Sequence, residues 1–155
     1  MDIEKTKRKE VISQLDASFQ CVEECTIELL GCNQALRADV VALSRDEAQP
    51  WTLAIEVKEP TGKWELKNWI KAISQAADYP NCIVSDARAG PENGGLIHAS
   101  FLYLGPDITP WNDRDSQSTR FYRDYDREPI RGAFLLAQHF KVGTANRDSK
   151  NGRFS

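Results

Sequence analysis

Between residues 64 and 79 the sequence sets Leu66, Trp69, Ile70, Ile73 and Ala77 on one helical stripe, closed by Pro80, with runs of β-type residues on either side. A helix in that position implies a crossover, because parallel strands can share a sheet only if the chain between them passes over one face. The expected fold class is therefore α/β, a mixed central β-sheet flanked by helices. Upstream, residues 6–19 space Val11, Ile12, Leu15 and Phe19 as an amphipathic helix. Residues 22–30, 37–43 and 51–57 read as strands, separated by a turn at 31–34 and by a polar stretch through Asp46 and Pro50. Downstream, 82–85 and 96–104 read as strands, 87–95 as a loop, 105–119 as a polar connection and 132–141 as a helix. The last dozen residues read as a frayed end.

With 155 residues the chain is one domain's worth, enough to bury a core. Hydrophobic residues at 41% and charged residues at 28% exclude a disordered tail and a membrane protein alike. The longest uninterrupted apolar stretch, 133–137, falls far short of the ~20 residues that cross a bilayer, and nothing directs export, so a cytoplasmic protein is expected. Cys21, Cys25, Cys32 and Cys82 are expected as reduced thiols, since their spacing lacks the CxxC knuckle of zinc and iron–sulfur sites. The net charge of −3 conceals an asymmetry: residues 1–113 hold 11 Lys and Arg against 18 Asp and Glu, residues 114–155 hold 9 against 5. In the basic end Arg120, Arg123 and Arg127 are interleaved with Phe121, Tyr122 and Tyr125, a pattern that suits phosphate and base contacts, a protein surface or a plain solvated face.

The chemistry concentrates in the third strand. In Leu53-Ala54-Ile55-Glu56-Val57-Lys58, alternation puts Glu56 and Lys58 on one face, opposite Ile55 and Val57, while the preceding strand holds Asp39 between Ala38 and Val40. A charge in an apolar strand is costly unless paired or bound to metal. If the two strands pair, two carboxylates and an ammonium converge; the carboxylates suit a hard cation such as Mg²⁺, and the ammonium can orient a water for phosphodiester hydrolysis. The plainer alternative is a surface Glu-x-Lys pair worth little energetically. Gln75 and Tyr79, one helical turn apart, share with Trp64, Asn68 and Lys71 the face opposite the apolar stripe. That face is either solvent-exposed or a polar and aromatic track for a nucleic-acid strand. His98 and His139 have no partners at ligand spacing, and neither a P-loop nor a dinucleotide fingerprint is present.

Arg37-Ala38-Asp39 followed by Glu56-Val57-Lys58 resembles the PD-(D/E)xK nuclease superfamily, with Ala38 at the place of the name-giving proline. Gln75-Ala76-Ala77-Asp78-Tyr79 is similar to the Q-x3-Y motif of its RecB-like branch. The resemblance covers residues 6–85, which it makes a nuclease core in a single 1–155 domain, with 86–155 as an accessory strand and helix extension. It implies a restriction-endonuclease-like fold and a DNA-hydrolysing enzyme that uses Mg²⁺, with Mn²⁺ able to substitute, and leaves a 5′-phosphate. It also implies that Asp39, Glu56, the Val57 backbone carbonyl and the helix-borne Glu10 bind the metal. Lys58 would position the attacking water, and Gln75 and Tyr79 would orient the strand or support Lys58. Glu10 lies in a run with Lys7, Arg8 and Lys9, so an ordinary helix surface is an equal alternative for it. End and internal cleavage, and roles in DNA repair or recombination, are equally compatible with these residues, as is a homo-oligomer. The rival reading is a catalytically idle copy of the fold that binds nucleic acid or a protein partner, such as a host nuclease system. Retention of costly charges argues against it.

Overall fold

The computed structural model describes residues 2–58, 66–90, 95–106, 139 and 142–147, with backbone alone at 66, 69, 104–106 and 144–147. Trp64, Arg120, Arg123, Arg127 and, but for His139, the expected helix at 132–141 lie outside the described residues.

Helix α1, Ile3–Leu15, begins ahead of the expected start because the Asp2 carboxylate caps it, accepting from the Lys5 N–H at 3.1 Å. It ends before Phe19, which opens strand β1, Phe19–Leu29. The turn into β2, Gln34–Ser44, uses left-handed φ at Gly31 (83°) and Asn33 (47°), conformations that glycine and asparagine tolerate best. A second turn, in which the Asp46 carboxylate accepts from the Ala48 N–H at 2.9 Å, leads into β3, Thr52–Val57. Then come α2, Leu66–Asp78, a 3₁₀ turn at Tyr79–Asn81, β4, Cys82–Val84, a second 3₁₀ turn at Ala87–Ala89, β5, Ala99–Pro106, and β6, Val142–Arg147.

The strands form one six-stranded mixed sheet in the order β4-β1-β2-β3-β5-β6. β1, β2 and β3 are an antiparallel meander, and α2 lies in the crossover to β5, which pairs parallel to β3. Being central, β3 is buried along nearly its whole length, the usual state of a strand with a parallel neighbour and covered faces. One face packs Val40, Ile55, Val57 and Tyr103 under Val11, Ile12 and Leu15 of α1. The other gathers Val22, Ile27, Val41, Leu43 and Ala54 with Tyr79, Cys82 and Val84.

Two expectations change here. Residues 142–147, at the start of the expected frayed end, form strand β6, paired parallel to β5; glycine and polar residues obscure its pattern, and a ready-made edge on β5 supplies what local propensity does not. The residues read as an accessory extension, 86–155, contribute the expected strand as β5, beside β3, and add β6 beyond it. Helix α2 buries Ala72, Ile73 and Ala76 and leaves Ile70 48% exposed, so its inner face is rotated from the stripe of large residues toward the small ones, which allow close approach to the sheet. No described helix is long and apolar enough to cross a membrane.

The alternation of faces slips once. Val22 and Cys25, and likewise Ala38 and Val41, belong to the same core although each pair is three residues apart, and between them Glu24 takes a left-handed φ of 49°. The slip is held from outside by Asp86: its Oδ2 accepts from the Thr26 N–H at 3.0 Å and from Arg88 Nη2 at 2.7 Å, and Arg88 Nη2 also donates to the Glu24 carbonyl at 3.0 Å. The Arg88 side chain, with the Thr26 and Arg88 backbone amides, holds the Asp86 carboxyl well below the usual carboxylate range. Asp86→Ala should cost about 1 kcal/mol, the net worth of the hydrogen bond to the solvent-reached Thr26 N–H. A depressed folded pKa contributes stability above the unfolded value and loses it on acidification, so urea titrations should show wild type and variant converging as pH falls below about 4.

Candidate active site

The β2–β3 ladder stops at the pair Val40–Ile55, and the residues past that pair build the site. There the Asp39 carboxylate replaces a ladder bond, its Oδ2 accepting from the Val57 N–H at 2.7 Å. The Lys58 N–H continues the other side, donating to the Tyr103 carbonyl at 3.0 Å, so the backbone at the end of β3 is pinned from both neighbours. Alternation then turns the Glu56 and Lys58 side chains to one face. The Glu56 carboxylate is 2% exposed, with Oε1 2.7 Å from Lys58 Nζ. Its other oxygen, Oε2, accepts a hydrogen bond from the Tyr79 hydroxyl, which lies within 3.5 Å of the Arg37 carbonyl as well.

Electrostatics tie these groups together. Burial, and next the Asp39 charge, push the Glu56 carboxyl above its usual range, while Lys58 and Tyr79 oppose the shift. Burial works against the Lys58 ammonium, but Glu56, with Asp39 and Glu4 adding to it, outweighs that and keeps its pKa above normal. Burial and the Glu56 charge push the Tyr79 phenol far up, so it stays a protonated donor. Asp39 and Glu56 thus share one field, in which the Asp39 charge makes Glu56 more costly to keep charged.

Strand alternation places Asp39, Glu56 and Lys58 in one cluster and the resemblance adds Tyr79; the structure brings Lys58 and Tyr79 onto Glu56, with Asp39 in the same field. Tyr79, which the helical wheel sets on an exposed face, is 2% exposed: α2 ends at Asp78, and the 3₁₀ turn after it carries the ring into the core. Its hydroxyl meets Glu56 rather than Lys58. Gln75 joins Lys58, Asn68, Lys71 and Ala72 in lining an open pocket beside the pair. Glu10 accepts from the Tyr103 hydroxyl at 2.9 Å. Among the described residues no group of three or more His, Cys, Asp or Glu side chains forms a ready-made cage. Two charges of α1 are coupled to the cluster: Arg8, which feels the Asp39 charge, and Glu4, which helps to raise Lys58. Arg8 is 8% exposed and paired with Glu23 at 3.0 Å. Sequence reasoning missed both residues, although Glu4, Arg8 and Val11 share one helical face and the burial of Val11 orients it.

Two carboxylates in mutual repulsion, one of them buried and offering only oxygen donors, fit a hard divalent ion that completes its shell with water. No protein-family model matches the chain, and no curated protein matches it.

Proposed function

We infer that the chain is a metal-dependent nuclease of the PD-(D/E)xK type, with a restriction-endonuclease-like core, hydrolysing DNA phosphodiester bonds. The observation that carries the reading is the buried Glu56 carboxylate, 2.7 Å from Lys58 Nζ and within the field of Asp39, at the end of a central strand. Asp39, Glu56 and the Val57 carbonyl would hold Mg²⁺ or Mn²⁺, which when bound polarises a phosphoryl oxygen and lowers the pKa of a water. Lys58 would hold that water by hydrogen bonding and steady the charge that develops on the phosphoryl oxygens. Tyr79 fixes the Glu56 carboxylate from behind, and the backbone pairing of Val57 and Lys58 fixes the strand that carries it, so the groups are set before substrate arrives.

The idle-module alternative draws on one observation: both oxygens of Glu56 are already engaged, by Lys58 and by Tyr79. A panel of linear duplex, single-stranded, circular and branched DNA, incubated with Mg²⁺, Mn²⁺ or EDTA, separates the two. Cutting of at least one member with either cation and none in EDTA is expected. Folded protein that leaves the whole panel intact in both cations would overturn the enzyme and favour the binding module.

A further inference from the structure

Beside Lys58 lies an open pocket of about 270 Å³, lined by Lys58, Asn68, Lys71, Ala72 and Gln75. The four α2 residues fall at i, i+3, i+4 and i+7, one stripe of the helix, and the small Ala72 at its centre leaves the space open. Lys58 and Lys71 bring ammonium groups and Asn68 and Gln75 side-chain amides, all able to donate hydrogen bonds, and among the described residues no carboxylate lines it. A tetrahedral anion with several acceptor oxygens matches that donor set.

Resting on the nuclease reading, we propose that Lys58, Asn68, Lys71 and Gln75 form a phosphate-binding subsite whose occupation is coupled, through Lys58, to cation binding at Glu56. Lys58 belongs to both places at once: it lines the pocket, and its Nζ lies 2.7 Å from Glu56 Oε1. The other Glu56 oxygen is held by the Tyr79 hydroxyl, so Oε1 is where an incoming cation must compete, and the group it competes with is the Lys58 ammonium. Like charges drive that ammonium off, and the pocket it already borders receives it. A phosphate in the pocket draws the ammonium in the same direction and uncovers Oε1. Each ligand removes an obstacle to the other, and linkage makes the effect reciprocal. The phosphate can belong to a nucleic-acid strand or be the free ion; the recognised chemistry is the same.

Calorimetry on the full chain tests this with three probes: inorganic phosphate, a short single-stranded oligodeoxynucleotide without metal, and Mn²⁺ with and without phosphate, the Mn²⁺ arm checked by electron paramagnetic resonance. Phosphate and Mn²⁺ should each tighten the other on the order of tenfold. Lys71→Ala should weaken phosphate or oligonucleotide binding tenfold or more and abolish the coupling, whereas Lys9→Ala, an exposed lysine of α1, should leave both unchanged. Loss confined to the oligonucleotide names the strand as the source; loss of free-phosphate binding as well extends the subsite to the ion. Affinities indifferent to Lys71→Ala, or Mn²⁺ binding indifferent to phosphate, would overturn the proposal. These readouts do not depend on cleavage. Coupled binding without cleavage in any metal sinks the nuclease reading alone, and cleavage with binding independent of Lys71 sinks the subsite alone.

Discussion

Asparagine in place of Asp39 should abolish DNA cleavage, a loss on the order of 10³-fold or more, while leaving stability within about 1 kcal/mol of wild type. On the nuclease reading the two effects separate because the Asp39 carboxylate would do two jobs. Its Oδ2 accepts from the Val57 N–H at 2.7 Å, a bond that an amide oxygen can also accept. Its charge, which an amide lacks, is what a cation at the end of β3 requires. Asp39→Ala loses both, and the Val57 N–H, in a strand buried on either side, is left without its acceptor at a cost of about 1–3 kcal/mol. Initial cleavage rates and urea unfolding of the two variants, measured side by side, check the division. An Asp39→Asn protein that cuts at the wild-type rate would remove Asp39 from the metal site.

The Glu56–Lys58 pair should give the largest stability effect. Removing one partner of a buried ion pair leaves the other charge uncompensated, and Glu56 is 2% exposed, so Lys58→Met is expected to cost about 3–5 kcal/mol. Adding Glu56→Gln removes the stranded charge while keeping an oxygen to accept from Tyr79, and the double variant should regain more than half of the loss. Denaturant midpoints of the single and double variants give the coupling directly. A double variant no more stable than Lys58→Met would mean that Lys58 acts through packing of its aliphatic stem instead.

The pairing of Asp39 with Glu56 and Lys58 was legible because strand alternation and a short turn leave few registers for neighbouring antiparallel strands. The mixed sheet was legible from a single helix standing between β-type segments. What could not be read was rotation. Nothing local to α2 says that Ala72 and Ala76 rather than Ile70 meet the sheet, because that choice depends on how closely the helix approaches. The Q-x3-Y spacing pointed to Tyr79 even though the helical wheel turned it outward; the wheel failed because the helix stops at Asp78. In α1 the run Lys7-Arg8-Lys9-Glu10 looks uniformly like surface, and only the docking against β1, β2 and β3 selects Arg8 for burial and sends Glu10 to Tyr103. β6 was invisible for a related reason, since its partner strand lies far back in the chain.

The parallel pairing of β3 with β5 bears on how the molecule comes into being. The meander of β1 to β3 closes through short turns, whereas β5 reaches β3 only after the whole segment from Lys58 to His98 has been laid across the sheet, and ordering so long a loop precedes any return from the contacts it brings. Asp39, Glu56 and Lys58 are supplied by the meander; Lys71, Gln75 and Tyr79 arrive with the crossover. A chain halted between those stages would hold the acidic groups without the hydroxyl that fixes them or the cationic pocket beside them. The Glu56–Tyr79 contact and the cationic pocket therefore exist only where the meander and the crossover have both been laid down.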